Sequence, residues 1–123
     1  MDKILILDFG SQVTQLIARR IRKENICCEI HPYNISKKKI ENFSPKALIL
    51  SGGPASTTLK RPLKPDNSIY SLNIPILGIC YGHQLICKHL GGNVITSTKR
   101  EFGKAFIKIK SKSKIFEGIY KKN

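Results

Sequence analysis

The sequence predicts an α/β fold in which a mainly parallel β-sheet is flanked by helices. Short apolar runs at residues 3–7, 47–50 and 75–79 have the composition of strands buried on both faces, as strands of parallel sheets are. Segments with helical spacing of apolar residues alternate with these runs, which is typical of β-α units. With 123 residues, the chain is expected to form one domain at most.

The first strand and the first helix are predicted on either side of a turn that contains Gly10. The strand at residues 3–7 ends at Asp8. Ser11 can then cap a helix that runs to about Lys23. The apolar residues on the predicted packing face of this helix are Val13, Leu16, Ile17 and Ile21. The turn has no glycine-rich phosphate-binding motif, so we expect no nucleotide site here.

The middle of the chain continues the alternation of strand and helix. Residues 26–33 are predicted as the second strand, and residues 36–42 as a short helix that is capped by Ser36. Residues 47–50 form the third strand, which ends in a glycine-containing loop at residues 51–54. The carboxyl ends of these strands are therefore expected at one edge of the sheet.

A surface excursion and a short helical segment are predicted before the fourth strand. Residues 55–68 are rich in Thr, Lys and Pro, and residues 69–72 have a helical pattern. After the fourth strand, residues 81–90 are predicted as an amphipathic helix that ends at Gly91 and Gly92. One face of this helix carries Leu85, Ile86, His89 and Leu90.

The last strand candidates lie at residues 94–97 and residues 104–110. In the second of them, lysines alternate with apolar residues, so one face of the strand should be exposed to water. This pattern is typical of an antiparallel or edge strand, because exposed lysines discourage unwanted pairing.

Cys80 is the candidate nucleophile. The Gly-Ile-Cys-Tyr-Gly sequence at residues 78–82 has the spacing of a nucleophile elbow, in which glycines permit a strained turn between a strand and a helix. The positive end of the helix that follows should favour the thiolate. The motif alone is also compatible with a small buried cysteine between two packing glycines.

The loop at residues 51–54 is a candidate source of backbone hydrogen-bond donors. In open α/β sheets, ligands bind outside the carboxyl ends of the strands, so the amide of Gly53 could face Cys80 across a crevice. An ordinary tight turn explains this loop equally well when the loop is considered by itself.

Three histidines are present, and none of them is a good candidate for the general base. His83 lies three residues after Cys80, where helix geometry directs its side chain along the helix. His89 is expected to pack against the rest of the domain. His31, followed by Pro32, lies at the end of the second strand.

Composition excludes several classes of function. The four cysteines have no zinc-binding pattern and the chain has no secretion signal, so we expect reduced thiols, no metal site and a cytoplasmic protein without a membrane segment. The formal net charge of +14 is compatible with nucleic-acid binding. The lysines are scattered without interleaved aromatic residues, so we expect no specific nucleic-acid partner, and docking onto an acidic protein explains the charge as well.

Four motifs together resemble the class I glutamine amidotransferases. They are Asp-Phe-Gly-Ser-Gln at 8–12, Leu-Ser-Gly-Gly-Pro at 50–54, Gly-Ile-Cys-Tyr-Gly-His-Gln at 78–84 and Arg-Glu-Phe-Gly at 100–103. The elbow marks the whole class, whereas the first and last motifs and Tyr81 are most similar to the amidotransferase domains of the GMP synthetases. The resemblance covers nearly the whole chain and implies a partial amidotransferase domain over residues 1–123, with a three-layer α/β fold.

The resemblance also implies roles for individual residues. Cys80 would attack the side-chain amide of glutamine and release ammonia through a thioester. The backbone amides of Gly53 and Tyr81 would form the oxyanion hole, and Gln84 would help to bind the glutamine. The partner would be the ATP-binding synthetase domain, to which ATP and Mg²⁺ belong, so no cofactor is expected in this chain.

The sequence departs from the family in one respect that bears on activity. The family's catalytic His and Glu lie in a Phe-His-Pro-Glu motif downstream of the elbow, and the 123 residues contain no such motif. We therefore expect a C-terminally truncated domain that is inactive alone. The alternatives are a non-catalytic regulatory or docking subunit with the same fold, or another α/β hydrolase with an elbow cysteine.

Overall fold

The computed structural model describes residues 2–53 and 63–94, which contain a four-stranded parallel sheet. Its strands are β1 (Lys3–Asp8), β2 (Cys27–Pro32), β3 (Ala47–Leu50) and β4 (Ile76–Gly78), in the order β2-β1-β3-β4. The α-helices are α1 (Val13–Lys23), α2 (Lys37–Phe43) and α3 (Tyr81–His89), and a 3₁₀ helix spans Asn67–Ser71. The predicted α/β class and its parallel strands are confirmed.

The register of the sheet aligns the carboxyl ends of three adjacent strands. Leu7 of β1 pairs with Leu50 of β3, and Leu50 pairs with Gly78 of β4. The chain progresses outward from β1 to β2 and from β3 to β4, so the order reverses between β1 and β3. A crevice for ligands is expected at this reversal, outside the carboxyl ends of the strands.

Helices cover both faces of the sheet, which gives the domain three layers. On one face, Ala18 of α1 packs in a cluster with Ile6 and Ile49. On the other face, Ile40 of α2, Ile69 of the 3₁₀ helix and Leu85 of α3 belong to a larger cluster. The central strands β1 and β3 are buried between these layers, as their continuous apolar sequences predicted.

The packing face of α1 agrees with the predicted one in part, since Ile17 and Ile21 pack against the cluster that contains Ala18. Val13 and Leu16 are 41% and 49% exposed, whereas Thr14 and Ala18 are buried. The helix is rotated toward Thr14 because the Thr14 hydroxyl lies within hydrogen-bonding distance of Asp8 and Ser51. Those partners compensate the cost of burying a hydroxyl, which the apolar pattern alone does not reveal.

Helix ends agree with the sequence in part. Ser36 caps α2 by accepting a hydrogen bond from the backbone of Lys39. The N-cap of α1 is Gln12 rather than Ser11, although the Ser11 hydroxyl accepts a bond from the Val13 amide. Leu90, predicted on the packing face after α3, is 78% exposed, because the helix ends at the preceding residue.

The predicted strands at 94–97 and 104–110 and most of the excursion at 55–68 lie outside the described residues. Within the described ranges, no helix combines the length and the apolar character that crossing a bilayer requires.

Candidate active site

Cys80 occupies a strained turn between β4 and α3. Its backbone has φ 55° and ψ −115°, a conformation that residues with a side chain rarely adopt and that costs about 1–3 kcal/mol. The amide of Ile79 continues the sheet by donating to the Leu50 carbonyl at 2.9 Å, and α3 begins at Tyr81. Cys80 is exposed in this turn.

Gly82, two residues after Cys80, lets α3 approach the sheet closely. A Cβ atom built on Gly82 would lie 2.0 Å from the carbonyl oxygen of Leu50 in β3, which is an impossible contact. The first turn of α3 therefore rests directly on the backbone of the neighbouring strand. This contact fixes the turn that carries Cys80 relative to the carboxyl end of β3.

The loop after β3 lies between Cys80 and the end of β1. A Cβ atom on Gly52 would lie 3.1 Å from the Cys80 Cβ and 3.7 Å from its Sγ. A Cβ atom on Gly53 would lie 2.3 Å from the carbonyl oxygen of Phe9. A side chain has no room at Gly53 and little at Gly52, and the backbone of Gly52 lies directly against the Cys80 side chain.

Tyr81 anchors the helix end beside the nucleophile. Its ring is buried against Phe9, with centroids 5.4 Å apart in an edge-to-face arrangement, and its hydroxyl donates to the Leu63 carbonyl. Burial raises the pKa of Tyr81, so the phenol keeps its proton at neutral pH. As the first residue of α3, Tyr81 has a backbone N–H without an acceptor inside the helix.

Gln84 follows Cys80 by one helical turn. The backbone N–H of Gln84 donates to the Cys80 carbonyl at 3.2 Å, and the residue is half-buried. Residues four apart lie on the same face of a helix, so Gln84 and the elbow share one side of α3. The structure thus brings together Cys80, Tyr81 and Gln84 on one element, with the Gly52-Gly53 loop facing them.

Of the three histidines, His31 lies in β2, and His83 and His89 lie in α3. His31 ends β2 and is separated from β4 by two strands, so it lies about 14 Å from the elbow at the usual strand spacing. Its Nε2 pairs with Glu29 Oε1 at 3.0 Å, a contact between alternate strand residues that sequence reasoning missed. His89 stacks on Tyr70 with a centroid distance of 3.7 Å, and His83 is exposed in the first turn of α3.

The four cysteines are free thiols in different environments. Cys28 is buried in β2, and burial raises the pKa of its thiol, while the nearby charge of Arg22 offsets part of this rise. Cys80 is the exposed one, and Cys27 and Cys87 are half-buried. Exposure therefore singles out Cys80 as the thiol that a solute can reach.

Two residues at the site escaped the sequence analysis. Thr14 and Ser51 are 1% and 0% exposed, and their hydroxyl oxygens are 2.8 Å apart. Ser51 directly precedes Gly52, and Thr14 lies in the first turn of α1. Thr14 shares helical spacing with Ala18, which is the signal that could have revealed its buried position.

Two cavities of the described part lie beside the site rather than at the thiol. One of about 480 Å³ opens at the carboxyl ends of β1 and β2, and Phe9 and Tyr33 belong to its lining. Another of about 290 Å³ lies between the segment from Lys64 to Tyr70 and the end of α3. Cys80 lines neither of these two cavities.

Known proteins that are similar to this chain match it over nearly its whole length. The family model of glutamine amidotransferase class-I matches residues 5–123. A glutamine-hydrolyzing GMP synthase of Natranaerobius thermophilus is 51% identical over 118 residues, which are 96% of this chain and 23% of that protein. The enzyme of the same name from Brachyspira hyodysenteriae is 52% identical over 123 residues, all of this chain and 24% of that protein. The chain spans about a quarter of the length of these relatives.

A solved structure shares the fold. The crystal structure of a proposed GMP synthase subunit from Thermoplasma acidophilum superposes with a TM-score of 0.81 at 32% sequence identity. The match covers 98% of this chain and 60% of that one.

Proposed function

The chain belongs to the class I glutamine amidotransferase family, and from this we propose that it is part of the glutaminase of a GMP synthase, which supplies ammonia for the conversion of XMP to GMP. The relatives named GMP synthase, which match nearly the whole chain at about half identity, support this assignment. The ATP-binding synthetase domain is the proposed partner, and ATP and Mg²⁺ act there.

The observation that carries the proposal is the exposed thiol of Cys80 in a strained turn against the Gly52 backbone. Strain of this kind persists only where surrounding structure fixes it, and it concentrates at functional sites. Here the contact of Gly82 with Leu50 and the buried Tyr81 ring hold the turn from both sides.

The proposed reaction begins with attack of the Cys80 thiolate on the side-chain amide carbon of glutamine. A C–S bond forms, and the carbonyl oxygen becomes an oxyanion that accepts hydrogen bonds from the amides of Gly53 and Tyr81. The C–N bond then breaks, nitrogen takes up a proton and leaves as ammonia, and a glutamyl thioester remains. Water cleaves the thioester to glutamate and restores the thiol, so glutamine and water give glutamate and ammonia.

Gln84 contributes to binding in this proposal. It lies one turn after the nucleophile on the same side of α3, where a carboxamide can hydrogen-bond the substrate glutamine. An amide serves both a carbonyl and an amino group, since it carries two donors and an acceptor.

The same 123 residues contain no Phe-His-Pro-Glu motif, His31 lies on the far strand β2, and His89 stacks on Tyr70. Acylation needs a base for the thiol and an acid for the departing ammonia. We therefore propose that the chain by itself binds glutamine and presents the nucleophile, whereas turnover requires residues beyond this sequence.

The test uses a diazoketone analogue of glutamine, which alkylates a cysteine that binds it. We expect labelling of Cys80 alone, with a rate that saturates with analogue concentration and falls when glutamine is added. Ammonia release from glutamine should stay at background for both the wild-type chain and Cys80→Ala.

Two results would contradict the proposal. Labelling that does not saturate, or that glutamine does not slow, would mean that the chain has no glutamine site. Ammonia release that depends on Cys80 in the chain alone would mean that a base exists among the 123 residues and that one of the three histidines serves as it.

A further inference from the structure

The two polar residues that are buried in the described part of the chain contact each other beside the proposed active site. Thr14 Oγ1 and Ser51 Oγ are 2.8 Å apart, and both side chains are almost completely inaccessible to water. Burying a hydroxyl costs free energy unless its hydrogen bonds are made. The hydrogen-bond partners of these two buried hydroxyls, which lie after the carboxyl ends of β1 and β3, therefore have to be identified.

The two hydroxyls belong to a wider hydrogen-bond network. Thr14 Oγ1 lies 3.2 Å from Asp8 Oδ1, and Ser51 Oγ lies 3.0 Å from the Leu7 carbonyl oxygen and 3.4 Å from the Gly52 carbonyl oxygen. The Leu7 carbonyl already accepts the Ser51 amide at 3.1 Å. A carboxylate is the strongest of these acceptors. Thr14 can donate to Asp8 while Ser51 donates to Thr14, or Thr14 can donate to Ser51 while Ser51 donates to the Leu7 carbonyl; with either arrangement the two hydroxyls connect α1 with the end of β3.

The resulting relay ends at a carboxylate that is itself fixed. Asp8 Oδ1 accepts the backbone amide of Gly10 at 2.8 Å, which holds the carboxylate over the turn after β1. The relay thus connects this turn, the first turn of α1 and the end of β3. These are the elements that surround the reversal of strand order between β1 and β3.

The relay acts on the loop that faces the nucleophile. Ser51 is covalently joined to Gly52, whose backbone stands against Cys80, and Gly53 is packed on the Phe9 carbonyl. Glycines restrict the backbone least of all residues, so the Gly52-Gly53 segment needs an external anchor. Ser51 is the residue through which such an anchor can act.

We propose that Asp8, Thr14 and Ser51 are positioning residues, which hold the Gly52-Gly53 loop at the distance from Cys80 that stabilises the oxyanion. This inference rests on the proposed glutaminase function. It adds a polar relay to that function, in which the carboxylate of Asp8 acts through two hydroxyls and touches no substrate.

The experiment compares two electrophiles on the chain and its variants. The diazoketone analogue of glutamine needs both the substrate site and the oxyanion donors, whereas iodoacetamide needs only an accessible thiolate. Thr14→Val removes the hydroxyl while keeping the shape, Thr14→Ser keeps the hydroxyl, and Ser51→Ala breaks the relay at its other end. Ile40→Val is the matched control, since it loses stability in α2 without touching the relay.

The relay predicts a selective effect. Thr14→Val and Ser51→Ala should each slow diazoketone labelling of Cys80 by about 10- to 100-fold, since small misplacements of a reacting geometry cost this much. Iodoacetamide labelling should change by less than about 2-fold, because the thiolate stays exposed. Thr14→Ser should restore diazoketone labelling, and Ile40→Val should leave both rates unchanged.

The outcomes separate this inference from the proposed function. Saturable labelling of the wild-type chain with equal diazoketone rates in Thr14→Val and Ser51→Ala would overturn the relay alone. Equal slowing by both electrophiles, or failure of Thr14→Ser to restore the rate, would also overturn it, since a merely structural role predicts these results. Absence of saturable labelling in the wild-type chain would overturn the proposed function and the relay with it.

Discussion

At the scale of single residues, the backbone of Cys80 separates it from the other thiols. A positive φ at a residue with a side chain is unfavourable, and here the contacts of Gly52 and Gly82 determine it. Cys28 has the opposite environment, because it is buried in β2 among apolar side chains. A comparison of the reactivities of Cys80 and Cys28 therefore tests the effect of exposure on a thiol.

Labelling at neutral pH should rank the four thiols by this environment. We expect Cys80 to react first with iodoacetamide and Cys28 last, because burial both shields Cys28 and raises the pKa of its thiol. Mass spectrometry of the digested chain after short exposures measures the order. Faster alkylation of Cys27, Cys28 or Cys87 in the folded chain would argue against the elbow.

The raised pKa of Cys28 also predicts a pH dependence of stability. A thiol whose pKa is higher in the folded state than in the unfolded state stabilises the fold fully below its unfolded pKa, and this contribution is lost as pH rises toward the folded pKa. The free energy of unfolding from urea titrations should therefore begin to fall as pH rises through the ordinary pKa of a cysteine thiol, about 8.5.

Cys28→Ala provides the control for that pH dependence. The variant loses stability at every pH through the cavity it creates, but its decline over the same pH window should be shallower. Identical slopes for the wild-type chain and the variant would mean that Cys28 is not the group responsible.

At the scale of elements, close contact between α3 and β3 builds the elbow. Gly82→Ala should destabilise the chain by about 3 kcal/mol or more, since its Cβ would overlap the Leu50 carbonyl and backbone cannot move aside cheaply. Gly91→Ala is the control, because a Cβ there meets nothing within 4 Å and only its φ of 88° is unfavourable, at about 1–2 kcal/mol. Urea unfolding measures both, and a cost at Gly82 no larger than at Gly91 would contradict the close contact.

The strands were predictable from the sequence because their apolar runs are continuous and end at polar or glycine residues. Ala47–Leu50 agrees with the predicted bounds, and Lys3–Asp8 extends the predicted strand by one residue. The elbow was predictable for a similar reason, since its glycines, strand and helix are consecutive in the chain. These features depend on local sequence, which is what periodicity reports.

The partner of the Thr14 hydroxyl in α1 was not predictable, because it comes from a distant part of the chain. Ser51 lies 37 residues after Thr14, and no pattern within α1 indicates that this hydroxyl finds a partner there. The apolar spacing instead favoured Val13 and Leu16, which are exposed. The contact between the Thr14 and Ser51 hydroxyls is missed for the same reason, whereas the glycine loop and the exposed Cys80 follow from short local motifs.

At the scale of the whole molecule, the order β2-β1-β3-β4 places the site. The reversal between β1 and β3 brings the turn after Asp8 beside the loop after Leu50, and the pairing of β4 with β3 adds the elbow. Three segments that are distant in sequence thus meet at one edge. The same order keeps His31, on β2, away from Cys80.

The net charge of +14 also belongs to the whole molecule. We expect weak binding to nucleic acids of any sequence, because scattered lysines attract phosphates without reading bases. Titrations of duplex DNA at two salt concentrations should show affinity that falls steeply with added salt. Tight, sequence-selective binding that survives physiological salt would contradict the enzymatic interpretation.

The central claim is that this chain supplies Cys80-dependent ammonia to a synthetase, and a chimera tests it most directly. The chain aligns over its full length with 24% of the Brachyspira hyodysenteriae GMP synthase, at 52% identity, and can replace the aligned segment there. GMP formation is then measured with glutamine and, separately, with ammonium as the nitrogen source. Ammonium-dependent synthesis reports whether the chimera folds.

We expect the chimera to make GMP from either nitrogen source, and Cys80→Ala to abolish glutamine-dependent synthesis while leaving ammonium-dependent synthesis intact. Glutamine-dependent synthesis that persists in Cys80→Ala, or its absence in a chimera that uses ammonium normally, would contradict the account.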